Sequence, residues 1–241
     1  MKKSLLTTTV VAASLALAAC GGSSSNSNSN NDESSENSYE FQVEVVNLTN
    51  AQPLSPPALV IHDDQYQMFD EGVSATTAIE SMAEGGSNSE LVDEAEQNDD
   101  VVAVHGADSP IGPGASASYT ISFQANSLTG SELTVATMLV NTNDAFTGQK
   151  DIDISNIAVN ETIRLNGPVW DAGTEANSET AATIPGPVAS GEGFNEERDD
   201  LNVVVFHTGV VTADDGLSTS VLNQSHRFDQ PASQIRITRI R

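Results

Sequence analysis

The stretch Ala115-Ser116-Ala117-Ser118-Tyr119-Thr120-Ile121-Ser122-Phe123 carries the clearest structural signal in the chain. Apolar side chains occupy every second position, and serine or threonine lies between them. Successive side chains of a β-strand point to opposite faces of its sheet, so this period of two predicts a strand with one buried and one solvated face. The preceding segment, 110–114, contains two prolines and two glycines, a composition typical of turns.

Several other segments have the composition of short strands. Alternation recurs from Tyr39 to Val45, and apolar runs predict further strands at 58–62, 101–104 and 133–140 and a buried strand at 201–206. Residues 162–165 are expected to be extended, and the segment 234–241 closes the chain. The segment 147–161 is less regular, and its isoleucines fit a short helix or an irregular turn. Many short strands separated by Gly, Pro and Asn turns predict a mainly β protein with an antiparallel β-sandwich fold.

Two short helices interrupt this pattern. The segment from Ser74 to Glu84 has an apolar face, with Ser74 as the predicted N-cap and Gly85 as the predicted stop. A second helix is predicted from Ser89 to Glu96. We expect both helices to cover an edge or an end of a sheet.

The N-terminus has the features of a secretory signal. Two lysines precede an apolar stretch from Leu5 to Leu17, which is too short and too rich in threonine for a membrane span. The run Leu17-Ala18-Ala19-Cys20 resembles the bacterial lipobox, in which the cysteine becomes the lipidated first residue. We therefore predict a signal peptide at 1–19 and a lipid anchor on Cys20. The alternative is a free thiol after an ordinary cleavage site.

The residues after Cys20, the only cysteine of the chain, define its expected location and domain organisation. Gly21 and Gly22 follow instead of aspartate, and in the lipoprotein pattern this implies the outer membrane of the cell envelope. The segment 20–38 is rich in Gly, Ser and Asn and predicts a disordered tether. The folded domain is predicted at 39–241.

The formal net charge is −25, so nucleic acid and anionic lipid surfaces are poor partners for this chain. A solubilising acidic surface accounts for such a charge equally well, and the charge alone therefore identifies no site.

Two acidic stretches contain the candidate site. The run Met138–Phe146 leads from a predicted strand into a polar turn that ends at Asp144. The run Val169–Glu175 places Asp171 and Glu175 on either side of Gly173, which can adopt a positive φ. Clustered carboxylates repel one another unless a cation lies between them, and oxygen ligands on flexible loops suit Ca²⁺. Ordinary turn chemistry remains the alternative for these residues.

These stretches, with several others, resemble the spondin N-terminal domain in the version found on bacterial lipoproteins. The segments that carry the resemblance are Asn47–Thr49, Gln52–Pro57, His62, Met138–Phe146 and Trp170–Asn177. The resemblance extends over about 39–241 with its motifs in order. It implies a sandwich akin to C2-like calcium- and lipid-binding domains, with one Ca²⁺ held at one end by three acidic side chains.

Animal members hold this ion with a Pro-Ser-Pro-Asp and an Asp-Ala-Gly-Thr-Asp segment. By position, the resemblance assigns these roles to Asp144, Asp171 and Glu175. The chain departs from that pattern in having Glu175 for the last aspartate and Asn141-Thr142-Asn143 before Asp144, and it lacks the cysteines of animal members. These departures weaken the transfer of an animal matrix-adhesion role.

Other chemistries find less support in the sequence. The segment 151–162 starts like an EF-hand loop but has Asn156 in place of the glycine and Thr162 in place of the bidentate glutamate. The histidines have no metal-ligand spacing, and we expect His62 and His207 to be hydrogen-bonded at strand ends. Gly112–Ala117 matches a dinucleotide fingerprint only in letters, because a strand and not a helix follows it.

The sequence therefore predicts a non-enzymatic, calcium-binding lipoprotein that acts as an interaction or adhesion module. Its expected partners are the membrane, through Cys20, and an unidentified protein or glycan ligand. The alternative is an envelope hydrolase acting on carbohydrate or ester substrates, since paired carboxylates can also serve glycoside hydrolysis.

Overall fold

The computed structural model describes residues 37–241. The predicted signal peptide (1–19), the predicted lipid anchor Cys20 and residues 21–36 of the predicted tether lie outside the described residues. The tether was predicted to extend to residue 38, but Asn37 and Ser38 already belong to the first strand, because they pair with a neighbouring strand of the sheet. The described part contains two antiparallel sheets and two α-helices, which confirms the predicted mainly β sandwich. The α-helices are α1 (Thr77–Gly85) and α2 (Ser89–Glu96). The strands are β1 (Asn37–Asn47), β2 (Ala58–His62), β3 (Val101–Gly106), β4 (Ser116–Ala125), β5 (Glu132–Met138), β6 (Ala145–Asp153), β7 (Thr162–Gly167), β8 (Val169–Asp171), β9 (Val205–Phe206) and β10 (Ser233–Arg239).

The smaller sheet has four strands in the order β4-β1-β10-β7. The alternating stretch quoted above forms most of β4 and pairs with β1, so that Phe41 lies opposite Ile121 and both are buried. The serine and threonine side chains of β4 alternate with these core residues and are exposed. The period of two in the sequence therefore reflects one core face and one solvated face, as predicted.

The larger sheet has six strands in the order β3-β2-β5-β6-β8-β9. Its inner face packs against the four-stranded sheet through residues such as Leu59, Leu133 and Val135. Its outer face is covered as well, so all residues of β2 are buried.

The helices cover this outer face rather than an edge or an end of the sheet, so the expected position was wrong. Ile79 and Met82 of α1 belong to the same core cluster as Val60 and Phe146 of the sheet. The N-cap of α1 is Thr76, whose hydroxyl accepts from the Ile79 amide at 3.2 Å, and not the predicted Ser74. The Ser74 hydroxyl instead donates to the Asn202 carbonyl at 2.7 Å.

Two further expectations about strands were wrong. Residues 147–153 belong to β6, although the segment 147–161 was expected to form a short helix or an irregular turn. The predicted buried strand at 201–206 is reduced to β9, and Leu201 and Phe206 are 68% and 61% exposed. β9 is an edge strand, so one side of Phe206 stacks on Trp170 with ring centroids 4.4 Å apart while the other side is left open. Within the described residues, neither α-helix has the length and apolar character that crossing a bilayer requires.

Candidate carboxylate site

Strand pairing brings the two acidic stretches together. β6 and β8 are antiparallel neighbours in which Ala145 pairs with Asp171 and Phe146 pairs with Trp170. Asp144 immediately precedes β6, and Asp171 is the last residue of β8. β5 ends at Met138, and Asp144 ends the polar turn that follows it, as predicted. Trp170, which precedes Asp171, is buried.

The turn before Asp144 is held by side-chain hydrogen bonds. The Thr142 hydroxyl donates to the Leu139 carbonyl at 2.6 Å and accepts from the Ala145 amide at 3.1 Å. The Gln52 side chain accepts from the Asn141 amide at 3.0 Å, which connects the turn to the segment between β1 and β2. Because these groups are buried, the backbone around Asp144 has little freedom.

The Asp144 carboxylate is buried, and its two oxygens have different surroundings. Oδ2 accepts from the backbone amides of Thr174 at 2.8 Å and Glu175 at 3.1 Å. Oδ1 is buried and has no hydrogen-bond partner. Burial and, to a smaller extent, the nearby Asp171 raise the pKa of Asp144 to about 7, although the two amide donors favour a lower pKa.

Asp171 is held by neighbouring donors. Its Oδ1 accepts from the Gly173 amide at 2.8 Å, and its Oδ2 accepts from the Asn177 side chain at 2.7 Å. Gly173 has a φ of 69°, which confirms the predicted positive φ. A side chain is excluded there, because a Cβ on Gly173 would lie 2.3 Å from the Val203 carbonyl oxygen.

His207 contacts this network but does not neutralise it. Its Nε2 is 3.0 Å from the Asn177 side-chain oxygen and 4.0 Å from Asp171 Oδ2. Its Nδ1 accepts from the Gly209 amide at 2.9 Å, so the ring hydrogen is on Nε2. Burial lowers the pKa of His207, while the nearby Asp171 raises it. These contacts confirm that His207 is hydrogen-bonded just beyond a strand end.

Glu175 is half-buried at the rim of the same site. Burial, together with the carboxylates of Glu84, Asp144 and Asp199, raises the pKa of Glu175 to about 8, although the Asn143 side chain favours a lower pKa. Glu175 therefore lies close enough to Asp144 for their charges to interact, and it is not fully exposed to solvent.

The three predicted residues are neighbours without forming a closed set of ligands. Asp144 is a neighbour of both other residues. The charge of Asp171 raises the pKa of Asp144, and the charge of Asp144 raises the pKa of Glu175. Among residues 37–241, Asp144, Asp171 and Glu175 do not present three oxygens that all lie within 4.8 Å of one another. A shared ion would therefore draw the side chains closer together.

Glu84 is a fourth carboxylate that the sequence reading missed. It lies near the end of α1, is 1% exposed, and raises the pKa of Glu175. Its Oε2 accepts from the Asn195 amide at 2.9 Å, whereas its Oε1 is buried without a hydrogen-bond partner. The signal was its position: Glu84 follows Glu80 by one turn on a helix whose other buried residues, except Ser81, are apolar.

The arginine that acts on Glu84 is paired with another carboxylate. Arg198 makes a two-pronged ion pair with Glu80, with Nε 2.8 Å from Oε1 and Nη2 2.6 Å from Oε2. It also donates to the Ala75 carbonyl at 2.9 Å. Arg198 lowers the pKa of Glu84, but burial has the larger effect and raises it. The candidate site is thus a buried group of carboxylates with two unpartnered oxygens.

Comparison with protein families identifies the domain. The model of the spondin N-terminal family (Spondin_N) matches residues 50–186, more than half of the chain. The chain belongs to the spondin N-terminal domain family. The match to this spondin family includes Asp144, Asp171, Glu175 and Glu84, whereas β1, β10 and His207 lie outside it. The family is not known as a family of enzymes. A search of curated proteins finds no match.

Proposed function

We propose that this spondin-type domain binds one Ca²⁺ through Asp144, Asp171 and Glu175. The observation that carries the proposal is the buried Asp144 Oδ1, which has no hydrogen-bond partner and lies beside a second carboxylate. An unpartnered buried polar atom costs about 1–3 kcal/mol, and more when it is charged. A cation between the carboxylates compensates this cost.

The donor set favours Ca²⁺ over other biological cations. All candidate ligand atoms are carboxylate oxygens on a turn, a strand end and a loop, and Ca²⁺ accepts six to eight such oxygens in flexible geometry. Water and backbone carbonyls complete the coordination. Glu84 adds a further negative charge beside Glu175. When bound, the ion cancels the mutual repulsion of these side chains.

The ion has a structural role in this proposal. Asp144 precedes β6, whereas Asp171 and Glu175 lie at the end of β8 and in the following loop. An ion shared by these residues therefore fixes the loop 172–177 against the sheet. Glu84 belongs to α1, so the attraction between its charge and the ion would also hold α1 against the sheet.

We further propose that the domain is a non-catalytic interaction or adhesion module of the outer membrane. The support is the spondin family match together with the lipobox-like run that ends at Cys20. The tether after Cys20 would let the domain stand away from the bilayer and contact a protein or glycan ligand. This role needs no chemistry from the carboxylate site beyond holding the ion.

Thermal unfolding tests the calcium site. The purified protein and the variants Asp144→Asn and Asp229→Asn are melted with CaCl₂ and with chelator. Asp229 is an exposed aspartate and provides the matched control. At 100 times its dissociation constant, Ca²⁺ adds about 2.7 kcal/mol to the free energy of unfolding. We expect a higher Tm with calcium for the wild type and for Asp229→Asn but not for Asp144→Asn. Equal midpoints with calcium and with chelator in the wild type refute the site.

The proposed anchor has its own test. A clickable fatty-acid analogue should label the wild-type protein in bacterial cells, and Cys20→Ser should abolish both the label and the recovery of the protein with membranes. Membrane recovery that is unchanged in Cys20→Ser contradicts the anchor. This result would leave the calcium proposal unaffected.

A further inference from the structure

A second group of potential metal ligands lies on three neighbouring strands of the six-stranded sheet. His62 is the last residue of β2 and pairs directly with Glu132, the first residue of β5. Glu132 pairs in turn with Asp153 of β6, and Asp151 precedes Asp153 by two positions on that strand. One ring nitrogen of His62 and one carboxylate oxygen each of Glu132 and Asp151 all lie within 4.8 Å of one another.

This group is remote from the proposed calcium site. Asp144 immediately precedes β6, whereas Asp151 lies near the other end of the same strand. Seven residues of extended chain correspond to about 23 Å. The two sites therefore share no ligand, and each can be removed without touching the other.

The His62 ring is held in one orientation. The residue is fully buried, and its Nδ1 is 2.7 Å from the Asp63 carbonyl oxygen. A carbonyl oxygen only accepts hydrogen bonds, so Nδ1 carries a hydrogen and the lone pair of the neutral ring is on Nε2. Metal-ligating histidines have this arrangement, in which the nitrogen away from the metal donates to a carbonyl or a carboxylate.

Without a metal, a hydroxyl occupies the His62 lone pair. Nε2 is 2.8 Å from Thr134 Oγ1, and that oxygen accepts from the Asp151 amide at 3.1 Å. The Thr134 hydrogen is therefore free to point at Nε2. An ion bound to Nε2 would replace this hydrogen bond. The predicted hydrogen-bonded role of His62 is confirmed, and it is compatible with ligation.

The two carboxylates face a negative and solvent-accessible surrounding. Glu132 and Asp151 are both partly exposed, so an ion can reach them from solvent. Burial raises the pKa of Glu132, as do Asp151, Asp64 and Asp153, whereas His62 lowers it.

One positive side chain lies beside this group. Lys150 Nζ is 3.9 Å from Asp151 Oδ2, but it is closer to Asp70 and, at 2.9 Å, to Glu71 Oε2. The Lys150 charge is therefore largely balanced by the loop that precedes α1. It does not neutralise Glu132.

We propose that His62, Glu132 and Asp151 form a second cation site, which binds a divalent transition-metal ion of the Zn²⁺ class. One imidazole nitrogen and two carboxylate oxygens suit Zn²⁺, with water completing a four-coordinate shell. Calcium and magnesium prefer oxygen ligands throughout, so the imidazole favours a transition metal over both. Zn²⁺ here joins the ends of β2, β5 and β6.

Metal titration of the full protein tests the proposal. The titration uses the Asp144→Asn variant, so that the proposed calcium site does not compete for Zn²⁺. Protein treated with chelator is titrated with Zn²⁺ by calorimetry and with Co²⁺ by visible absorption. We expect one Zn²⁺ per chain, a Co²⁺ spectrum that Zn²⁺ abolishes, and no displacement of Zn²⁺ by a tenfold excess of Ca²⁺. Absence of Zn²⁺ binding, or displacement by Ca²⁺, overturns the proposal.

Matched variants assign the ligands. Asp151→Asn and Glu132→Gln should weaken Zn²⁺ binding at least about tenfold, whereas Asp153→Asn, which removes a nearby charge but no ligand, should weaken it less and His105→Gln should leave it unchanged. His62 is tested by NMR, because substitution of this buried residue risks misfolding. The signals of its ring nitrogens should shift on addition of Zn²⁺. Zn²⁺ affinity that is unchanged in Asp151→Asn, or lost in Asp153→Asn, overturns the assignment. Since these assays use no calcium site, their failure leaves the calcium proposal standing.

Discussion

Ala145 pairs directly with Asp171 across β6 and β8, so the carboxylate of Asp144 lies one residue from that of Asp171 along the paired strands. Backbone hydrogen bonding, which does not depend on a cation, therefore holds two like charges close together. The amides of Thr174 and Glu175 compensate only one oxygen of Asp144. The remaining oxygen explains why an ion should matter more to this corner of the sandwich than to the rest of the fold.

Glu84→Gln should weaken calcium binding without removing it. Glu84 lies close enough to Glu175 to raise its pKa, so its charge also attracts an ion held by Glu175. We expect a loss of about 1 kcal/mol, or roughly fivefold in Kd, measured by calorimetry. Glu90→Gln, at an exposed position of α2, serves as the control and should keep the wild-type Kd. An unchanged Kd in Glu84→Gln would exclude this residue from the site.

Gly173→Ala should destabilise the domain more than Gly114→Ala. Both glycines have positive φ, 69° and 71°, so both substitutions impose a similar backbone cost of about 1–2 kcal/mol. A Cβ at Gly173 also meets the Val203 carbonyl oxygen at 2.3 Å, whereas a Cβ at Gly114 meets nothing within 4 Å. Urea unfolding in chelator should show at least about 1 kcal/mol of additional loss for Gly173→Ala. Equal losses would mean that Val203 moves away freely.

Arg198→Met should strongly destabilise the domain, because it leaves Glu80 buried without its partner. The Glu80 side chain is 4% exposed and receives both prongs of Arg198. Removal of one partner of a buried pair costs about 3–5 kcal/mol, whereas an apolar replacement of both is often close to neutral. The double variant Glu80→Met/Arg198→Met should therefore be more stable than Arg198→Met alone. The free energy of unfolding of each variant is measured in denaturant. If the loss in the double variant equals the sum of the losses in the two single variants, Glu80 and Arg198 are not coupled.

Glu179 should make the stability of the domain depend on pH. It is 1% exposed, its Oε2 has no partner, and burial raises its pKa from 4.5 to about 7, with the Val211 amide opposing the rise. The folded state thus retains a proton that the unfolded state has lost. Stability should therefore fall as the pH rises from about 4.5 to 7.

Glu179→Gln should flatten this part of the pH dependence, because an amide does not titrate. Urea unfolding in chelator at pH 5 and pH 8 measures the difference between the variant and the wild type. Glu197→Gln, at an exposed position, should retain the wild-type slope. If Glu179→Gln has the same slope as the wild type, Glu179 is not a source of the pH dependence.

Strands with one solvated face were predictable. The alternation from Ala115 to Phe123 and from Tyr39 to Val45 predicted β4 and β1, because each residue's environment follows from its parity along the strand. β6 was missed because its polar residues are satisfied by distant segments. The Thr147 hydroxyl contacts the Gly167 carbonyl and the Ser233 hydroxyl, and Lys150 is paired with Asp70 and Glu71. None of these partners is a neighbour in sequence.

Some residues of the candidate sites were also predictable from the sequence, whereas others were brought in only by the tertiary structure. Local composition was enough to predict that Asp171 precedes a glycine turn with positive φ, and the family resemblance selected Asp144, Asp171 and Glu175. Only the packing of α1 on the sheet brought in Glu84, and only the pairing of β2, β5 and β6 brought His62, Glu132 and Asp151 together. Alternation and turn geometry are properties of a few adjacent residues, so one sequence suffices to predict them. The neighbours of a buried charge depend on which distant strands pair, and that is decided when the whole chain folds.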